Sequence, residues 1–348
     1  TRVTGLCLAS LALCLLGQPL SAAEPAKQAS EATGSGHCAT IAPLPKEPTL
    51  DGAIADGEWD NATGTINFMQ LFAKEEPSFN AMHMDPREGR TLVGYYGDTL
   101  YICVVSALPP RAVYGEGKHS KEMPRDAELI GDFNAVEIWL DPNRDRRESR
   151  QGDQSFYQVF VNTVGSLYDA KLVPGESPDK GWNTDIRSAN AIDPDKKIWT
   201  AEIAISLKDF GWTAENAAGK SMGILISRNY KAPWNQATWF THDDAFVSWH
   251  KYPRVYFTKD GPVARIESLG DRFWEAKPEW KVKIFNPGPA QTVKASIHVK
   301  SSDMPDLKNE KEIALPANGT GEYTFAATGE QLHQQADHYF KLRMTSAD

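Results

Sequence analysis

The sequence predicts an all-β protein: an antiparallel β-sandwich followed by a smaller, immunoglobulin-like β-sandwich. Three observations predict it. Short runs alternate apolar and polar residues with the period of a strand. Gly, Pro, Asn and Asp clusters punctuate those runs. No stretch sustains a 3.6-residue period, and one helical turn at Leu207–Phe210 is the extent of the helix signal. The 348 residues suggest roughly two domains, and 41% hydrophobic with 24% charged residues is the composition of a packed protein.

In chain order, residues 1–23 read as a secretory signal. Arg2 supplies the positive start, Leu6–Leu16 the apolar stretch and Ser21-Ala22-Ala23 the small-residue cleavage site. The apolar stretch is too short to span a membrane, so the expected location is secreted, periplasmic or cell surface, without membrane insertion. Loss of the signal takes Arg2 away and makes the formal net charge of −9 one unit more negative. That acidic balance argues against nucleic acid as a partner.

Residues 24–47, rich in Ala, Ser, Gly, Pro and Lys, read as a flexible linker. Outside the signal stand two cysteines, Cys38 and Cys103. In an exported chain they are read as one disulfide, with two unpaired thiols as the alternative.

The first sandwich is expected over residues 48–260. It opens with Leu50-Asp51-Gly52 and Gly57-Glu58-Trp59. Strands follow at Thr91–Tyr96 and Leu100–Val105 around a Gly97-Asp98 turn, then at Phe156–Val164, Trp199–Leu207, Met222–Asn229 and Val255–Thr258. The second sandwich is expected over 262–348, with strands at Glu279–Phe285, Thr292–Lys300, Lys311–Leu315, Gly321–Ala326 and His338–Met344. Those five or six strands fall short of a full immunoglobulin set, so a continuation past Asp348 stays open as a reading.

The most informative strand is Asp132–Pro142. Val136, Ile138 and Leu140 fall on one side, Ala135, Glu137, Trp139 and Asp141 on the other. The second side sets a carboxylate two residues from a large aromatic, the combination that grips a sugar through its hydroxyls and its C–H face; an ordinary sandwich strand explains it equally well. Trp182 lies in a polar loop, and Trp234, Trp239 and Trp249 stand among Asn, Gln, Thr, His and Asp; each reads equally well as core or as stacking platform, and together they predict at least one exposed platform. Arg228 and Asn229 end the preceding strand within reach of such a platform.

Other chemistries have less support. Glu137, Asp141 and Glu202 are candidate glycosidase carboxylates, but no signature sets their separation. Gly-x-Ser-x-Gly, His-x-x-x-His and Cys-x-x-Cys patterns are absent. The chain therefore reads as non-catalytic, with any activity expected in a domain beyond residue 348. No cofactor is expected. Asp141, Asp145 and Asp153 could hold a structural calcium ion, and His242-Asp243-Asp244 a cation, but a solvated loop suits each spacing better.

The pattern resembles the family 9 carbohydrate-binding modules over about residues 48–258. The matching residues are Leu50-Asp51-Gly52 with Glu58-Trp59, Asp98-Thr99-Leu100-Tyr101-Ile102 and Ala135-Val136-Glu137-Ile138-Trp139-Leu140-Asp141. They continue through Gln158-Val159-Phe160-Val161-Asn162, Trp199–Ile205 and Ser248-Trp249. The resemblance implies a sandwich that binds a sugar between two tryptophans. Glu137 matches the ligand carboxylate of the family and Trp249 one stacking tryptophan. Two positions depart: Ile130-Gly131-Asp132-Phe133 stands where the other tryptophan belongs, and Phe160 replaces an arginine.

The resulting expectation is a secreted carbohydrate-binding protein that holds an attached or cooperating enzyme, such as a glycoside hydrolase, near polysaccharide or oligosaccharide. The sugar would stack on Trp249 and bond to Glu137 and Asn162, with Phe160, Trp182 and Arg228 in support. Two further readings stay open: a haem-binding dehydrogenase-subunit-like sandwich, with axial ligands from Met82-His83-Met84 and His242, and an adhesion module without a small ligand.

Overall fold

The structure, a computed structural model, describes residues 38–66, 69–71, 82–84, 89–108, 121–127, 134–143, 154–231, 234–240, 246–270, 277–301, 305–327 and 338–346. The first strands are β1 Cys38–Ile41, β2 Thr63–Ile66, β3 Met69–Leu71, β4 Met82–Met84, β5 Gly89–Tyr96, β6 Thr99–Ala107 and β7 Ala135–Asp141. Next come β8 Phe156–Asn162, β9 Leu167–Leu172, β10 Ile186–Asp193, β11 Ile198–Ser206, β12 Ser221–Lys231, β13 Trp234–Thr238 and β14 Arg254–Phe257. The last are β15 Val263–Ser268, β16 Glu279–Asn286, β17 Gln291–Ser301, β18 Leu307–Leu315, β19 Gly319–Ala326 and β20 His338–Ser346.

Among the described residues, one sheet runs β4-β3-β13-β12-β7-β8-β9, with β14 paired to β12 and β1 to β14. A second runs β10-β11-β6-β5-β2-β15-β16-β19, and a third β18-β17-β20. The fold is a β-sandwich. Its main core forms where Val136, Ile138 and Leu140 of β7 meet Ile102 and Val104 of β6 and Ile203 of β11. The inward side of the Asp132–Pro142 strand is thus the side its alternation indicates. Gly97 at φ +52° makes the two-residue turn between β5 and β6.

The Leu50-Asp51-Gly52…Glu58-Trp59 motif is a latch on the outer side of the second sheet. Glu202 of β11 accepts hydrogen bonds from the amides of Asp51 (3.0 Å) and Gly52 (2.8 Å) and from the indole N–H of Trp59 (3.1 Å). Glu58 closes the loop by accepting from the amides of Thr49 and Ala55. Gly52 has φ +82°, and a Cβ there would sit 2.5 Å from that of Ala191, so backbone and space both demand glycine.

The second sheet crosses the boundary expected near residue 261. β15 pairs along β16 and meets β2 in parallel at one ladder position, Arg265 opposite Gly64. Arg265 Nη1 donates to the Trp59 carbonyl at 2.9 Å, and its guanidinium lies 4.7 Å from the Phe285 ring. Beyond this joint, Trp280 and Val282 of β16 lie in one apolar cluster with Val293 and Ile297 of β17 and Leu342 of β20, which packs the third sheet on the end of the second.

Two expectations are corrected here. Residues 38–47 are not linker: β1 pairs in parallel with β14, Leu44 N–H donates to the Tyr95 carbonyl, and Ala39, Ile41, Ala42 and Leu44 are buried. The short apolar alternation of 39–42 adds a strand despite its linker-like surroundings; residues 24–37 lie outside the described residues. The expected Cys38–Cys103 disulfide is not formed, since Cys103 is a free thiol. Cys103 packs with Trp59 and Leu92 on the outer side of β6, whereas β1 belongs to the opposite sheet. Burial, then Glu202 and Glu58, push its pKa well above the ordinary thiol value.

Residues 121–127 lie against the free edge of β9. Asp126 N–H donates to the Leu167 carbonyl and its carboxylate accepts from Asp169 N–H. Arg125 pairs with the buried Asp169 at 2.7 Å and donates to the Thr184 carbonyl. A bridge between Lys171 and Asp179 covers the rest, so the edge is closed to other strands.

Candidate functional site

The outer side of β7 belongs to a second, aromatic cluster. Trp139 packs there with Phe156, Phe160, Tyr168, Leu225 and Tyr252, and half-buried Phe246 and Trp249 lie against them. Ring centroids are 5.9 Å apart for Trp139 and Phe156 and 6.3 Å for Trp139 and Tyr252. Phe160 meets Tyr168 edge-on at 5.7 Å. All of β7 is therefore buried, on both sides.

Glu137 lies within this face, 4% exposed. Its Oε1 accepts from Trp139 Nε1 at 2.7 Å and Gln158 Nε2 at 2.9 Å, and its Oε2 from Asn229 Nδ2 at 2.6 Å. The Ser227 hydroxyl donates to Asn229 Oδ1, which turns the amide N–H₂ toward the carboxylate. Burial raises the pKa of Glu137 above the ordinary glutamate value. The bonds from Gln158, Asn229 and Trp139 and the more distant charge of Lys231 oppose that rise without cancelling it.

The structure brings three of the expected residues to one face: Glu137, Phe160 opposite it in the β7–β8 ladder, and Trp249 in the turn Trp249–Lys251. Trp249 is half-buried beside Val247, which is 54% exposed, so the rim of the face reaches solvent there.

The other three expected residues are placed differently. Asn162 is buried at the end of β8 and its amide is taken up by the chain: Nδ2 donates to the Lys121 carbonyl, and Oδ1 accepts from the amides of Val164 and Ser166. It shapes the β8–β9 turn. Arg228 points the opposite way from Glu137, because it shares strand parity with Ile224, Ile226 and Tyr230 of the inter-sheet core. Its guanidinium lies 4.5 Å from the Tyr230 ring. Trp182 packs on Tyr157 (4.5 Å) and Phe210 (5.9 Å) at the rim of that same core, on the far side of the sheet from Glu137.

Asn229 and Gln158 take the places beside Glu137 that those residues were expected to fill. No sequence signal separates Asn229 from Arg228, because β12 is buried on both sides. Of the clustered tryptophans, Trp239 is buried and donates to the Ile224 carbonyl.

The remaining candidates do not assemble a second site among the described residues. Glu202 is on the outer side of the opposite sheet, engaged with Trp59. Asp141 is buried at the end of β7, while Asp145, Asp153 and His242-Asp243-Asp244 lie outside the described residues. Met82-His83-Met84 forms the edge strand β4. Among the described residues no group of three or more His, Cys, Asp or Glu is arranged to hold a metal ion, and no helix is long and apolar enough to cross a membrane.

No protein-family model and no curated protein matches the sequence. Solved structures do match, at probability 1.00. A family 9 carbohydrate-binding module from Caldicellulosiruptor kristjanssonii, in complex with cellotriose, is 14% identical over 64% of this chain and 94% of its own, with a TM-score of 0.41. A module of that family from the same organism in complex with glucose is 15% identical over 63% and 96%, with a TM-score of 0.41. A Bacteroides uniformis protein described as a candidate carbohydrate binder is 12% identical over 63% and 98%, with a TM-score of 0.42.

Proposed function

We propose that this is an exported, non-catalytic carbohydrate-binding protein that holds a sugar ring against Trp249 beside Glu137 and keeps an attached or cooperating enzyme near its glycan. The observation that carries the reading is a buried carboxylate, fixed by side-chain donors, within a face built of aromatic rings. A carboxylate offers about four lone-pair directions, and three accept from Trp139, Gln158 and Asn229, which leaves one for a ligand proton. Aromatic rings supply flat apolar surface for the C–H side of a sugar.

Non-catalytic character is supported by the placement of the carboxylates. Glycoside hydrolysis needs a pair roughly 5–9.5 Å apart. Glu137 and Asp141 are four strand positions apart, about 13 Å, and Glu202 lies beyond the opposite sheet.

Titrating the full chain with cello-, xylo- and chito-oligosaccharides by calorimetry and Trp fluorescence tests the reading. At least one series should bind, and Trp249→Ala should weaken it about tenfold or more in a chain that still unfolds cooperatively, at a somewhat lower melting temperature because Trp249 packs on the aromatic cluster. Silence from every sugar, or binding indifferent to Trp249→Ala, would overturn it.

A further inference from the structure

We infer that the ligand of the Glu137 face carries a cationic amine, which makes an amino sugar its preferred class; the inference rests on the carbohydrate-binding reading above.

The reason is an unbalanced charge. Buried carboxylates are normally paired with a cation, because desolvation of a lone charge is costly. Asp169 follows that rule with Arg125. Glu137 does not: its three hydrogen-bond donors are the neutral side chains of Trp139, Gln158 and Asn229. Its ladder neighbours are also neutral, Phe160 on β8 and Ser227 on β12. Among the described residues none makes an ion pair with it, and Lys231 acts only as the weakest of the influences upon it. Both carboxyl oxygens accept hydrogen bonds, the pattern of an ionised group, and these bonds offset part of the rise in pKa that burial causes.

Glu202 is buried among neutral donors too, but its charge has a structural task. It gathers two main-chain amides and an indole from a loop about 150 positions away, and so fixes that loop. Glu137 fixes no loop. Its donors come from its own strand and from β8 and β12, which are already held to it by ladder bonds. An apolar or amide side chain would serve that packing at less cost, so the charge is explained by something that arrives.

The surroundings indicate what arrives. Trp139, Phe160, Tyr252 and Trp249 belong to the face that holds the carboxylate. An ammonium group gains from both a carboxylate and the faces of aromatic rings. A neutral hydroxyl would use the spare lone pair and leave the charge unbalanced. An amino sugar supplies the ammonium for Glu137 and the C–H surface for Trp249 together.

Calorimetry on the full chain at about pH 6, where such amines are protonated, should compare glucosamine oligomers with N-acetylglucosamine and cello-oligomers of equal length. We expect the free-amine series to bind about tenfold tighter or more than either neutral series. Phe160→Lys, which sets a cation opposite Glu137, should remove that preference in a chain shown to be folded by near-ultraviolet dichroism. If it does not fold, Glu137→Gln should bring the series to parity. Equal or tighter binding of a neutral series overturns the amine inference and leaves the carbohydrate reading standing; silence from all three overturns both. An amine preference that survives the substitution places the amine elsewhere and also overturns the inference.

Discussion

The carboxylate of Glu202 accepts the indole N–H of Trp59 at 3.1 Å across 143 positions of sequence. With its other oxygen on the amides of Asp51 and Gly52, it docks the whole 49–59 loop onto the outer side of β11. The motif that looked like a family signature is therefore a device for closing the sandwich.

Glu202→Ala strands three donors at a buried position. A loss of about 3 kcal/mol in urea unfolding is expected, with Glu202→Gln intermediate because its oxygen still serves part of the set. A loss under about 1 kcal/mol in the alanine variant would mean that the loop is held by other contacts.

Gly52 and Gly97 separate steric from conformational demand. Both have positive φ, but a Cβ at Gly52 meets Ala191 at 2.5 Å while nothing lies within 4 Å at Gly97. Gly52→Ala is expected to cost about 2 kcal/mol or more and Gly97→Ala about 1 kcal/mol. Thermal unfolding of the two variants should preserve that order.

Acidification should first stabilise the protein. Burial raises the pKa values of Glu137, Glu202 and Asp169 above the ordinary 4.5 of Glu and 3.8 of Asp. A carboxyl with a raised folded pKa holds its proton more tightly when folded. Its contribution is complete below the unfolded value and is lost as pH rises through the folded one. Glu47, Asp98 and Asp193 have lowered values, from bonds to Tyr101, to the Ala214 amide and to the Lys196 amide respectively. Their contributions are present above the unfolded value and lost as pH falls, and exposure keeps them small. The melting temperature should rise as pH falls from neutrality toward the ordinary carboxyl range and decline below that range. Glu137→Gln should flatten the first limb; an unaltered limb would show that other groups produce it.

Arg125→Ala should loosen the segment that covers β9. The Arg125 side chain is 37% exposed, so the global loss is about 1 kcal/mol. The readout with more contrast is hydrogen exchange, which should quicken at Leu167 and Asp169 and stay unchanged in β6 and β11. Unchanged protection in β9 would show that Asp126 alone holds the edge.

How far the sequence could be read follows from burial. β7, β8, β11 and β17 alternate plainly, and their inward sides are as the alternation indicates. β10 was overlooked because it is an edge strand in which Ile186 is buried and the remaining residues are not. β1 reads as linker because Pro and Ala dominate its surroundings. The site was harder. β12 is buried on both sides along Ser221–Tyr230, so its hydrophobicity carries no phase. Arg228 and Asn229 are then indistinguishable in sequence, and it is Asn229 that the fold sets beside Glu137. Trp182 sits in a loop, where strand parity gives no direction at all.

The single ladder position that joins Gly64 to Arg265 has a mechanical consequence. The longest ladders on either side pair nine positions, whereas the joint between β2 and β15 has this one ladder position, the bond from Arg265 to the Trp59 carbonyl and the Arg90–Glu267 ion pair at 3.5 Å. A Cβ at Gly64 would sit 2.7 Å from Leu92 Cδ2, 2.9 Å from the Thr91 carbonyl oxygen and 3.1 Å from Arg265 Cγ, so β5 and the joint both restrict this position. Tension drawn between the two halves would fall on that joint together with the apolar core that continues across it through Ile266, Trp280 and Val282.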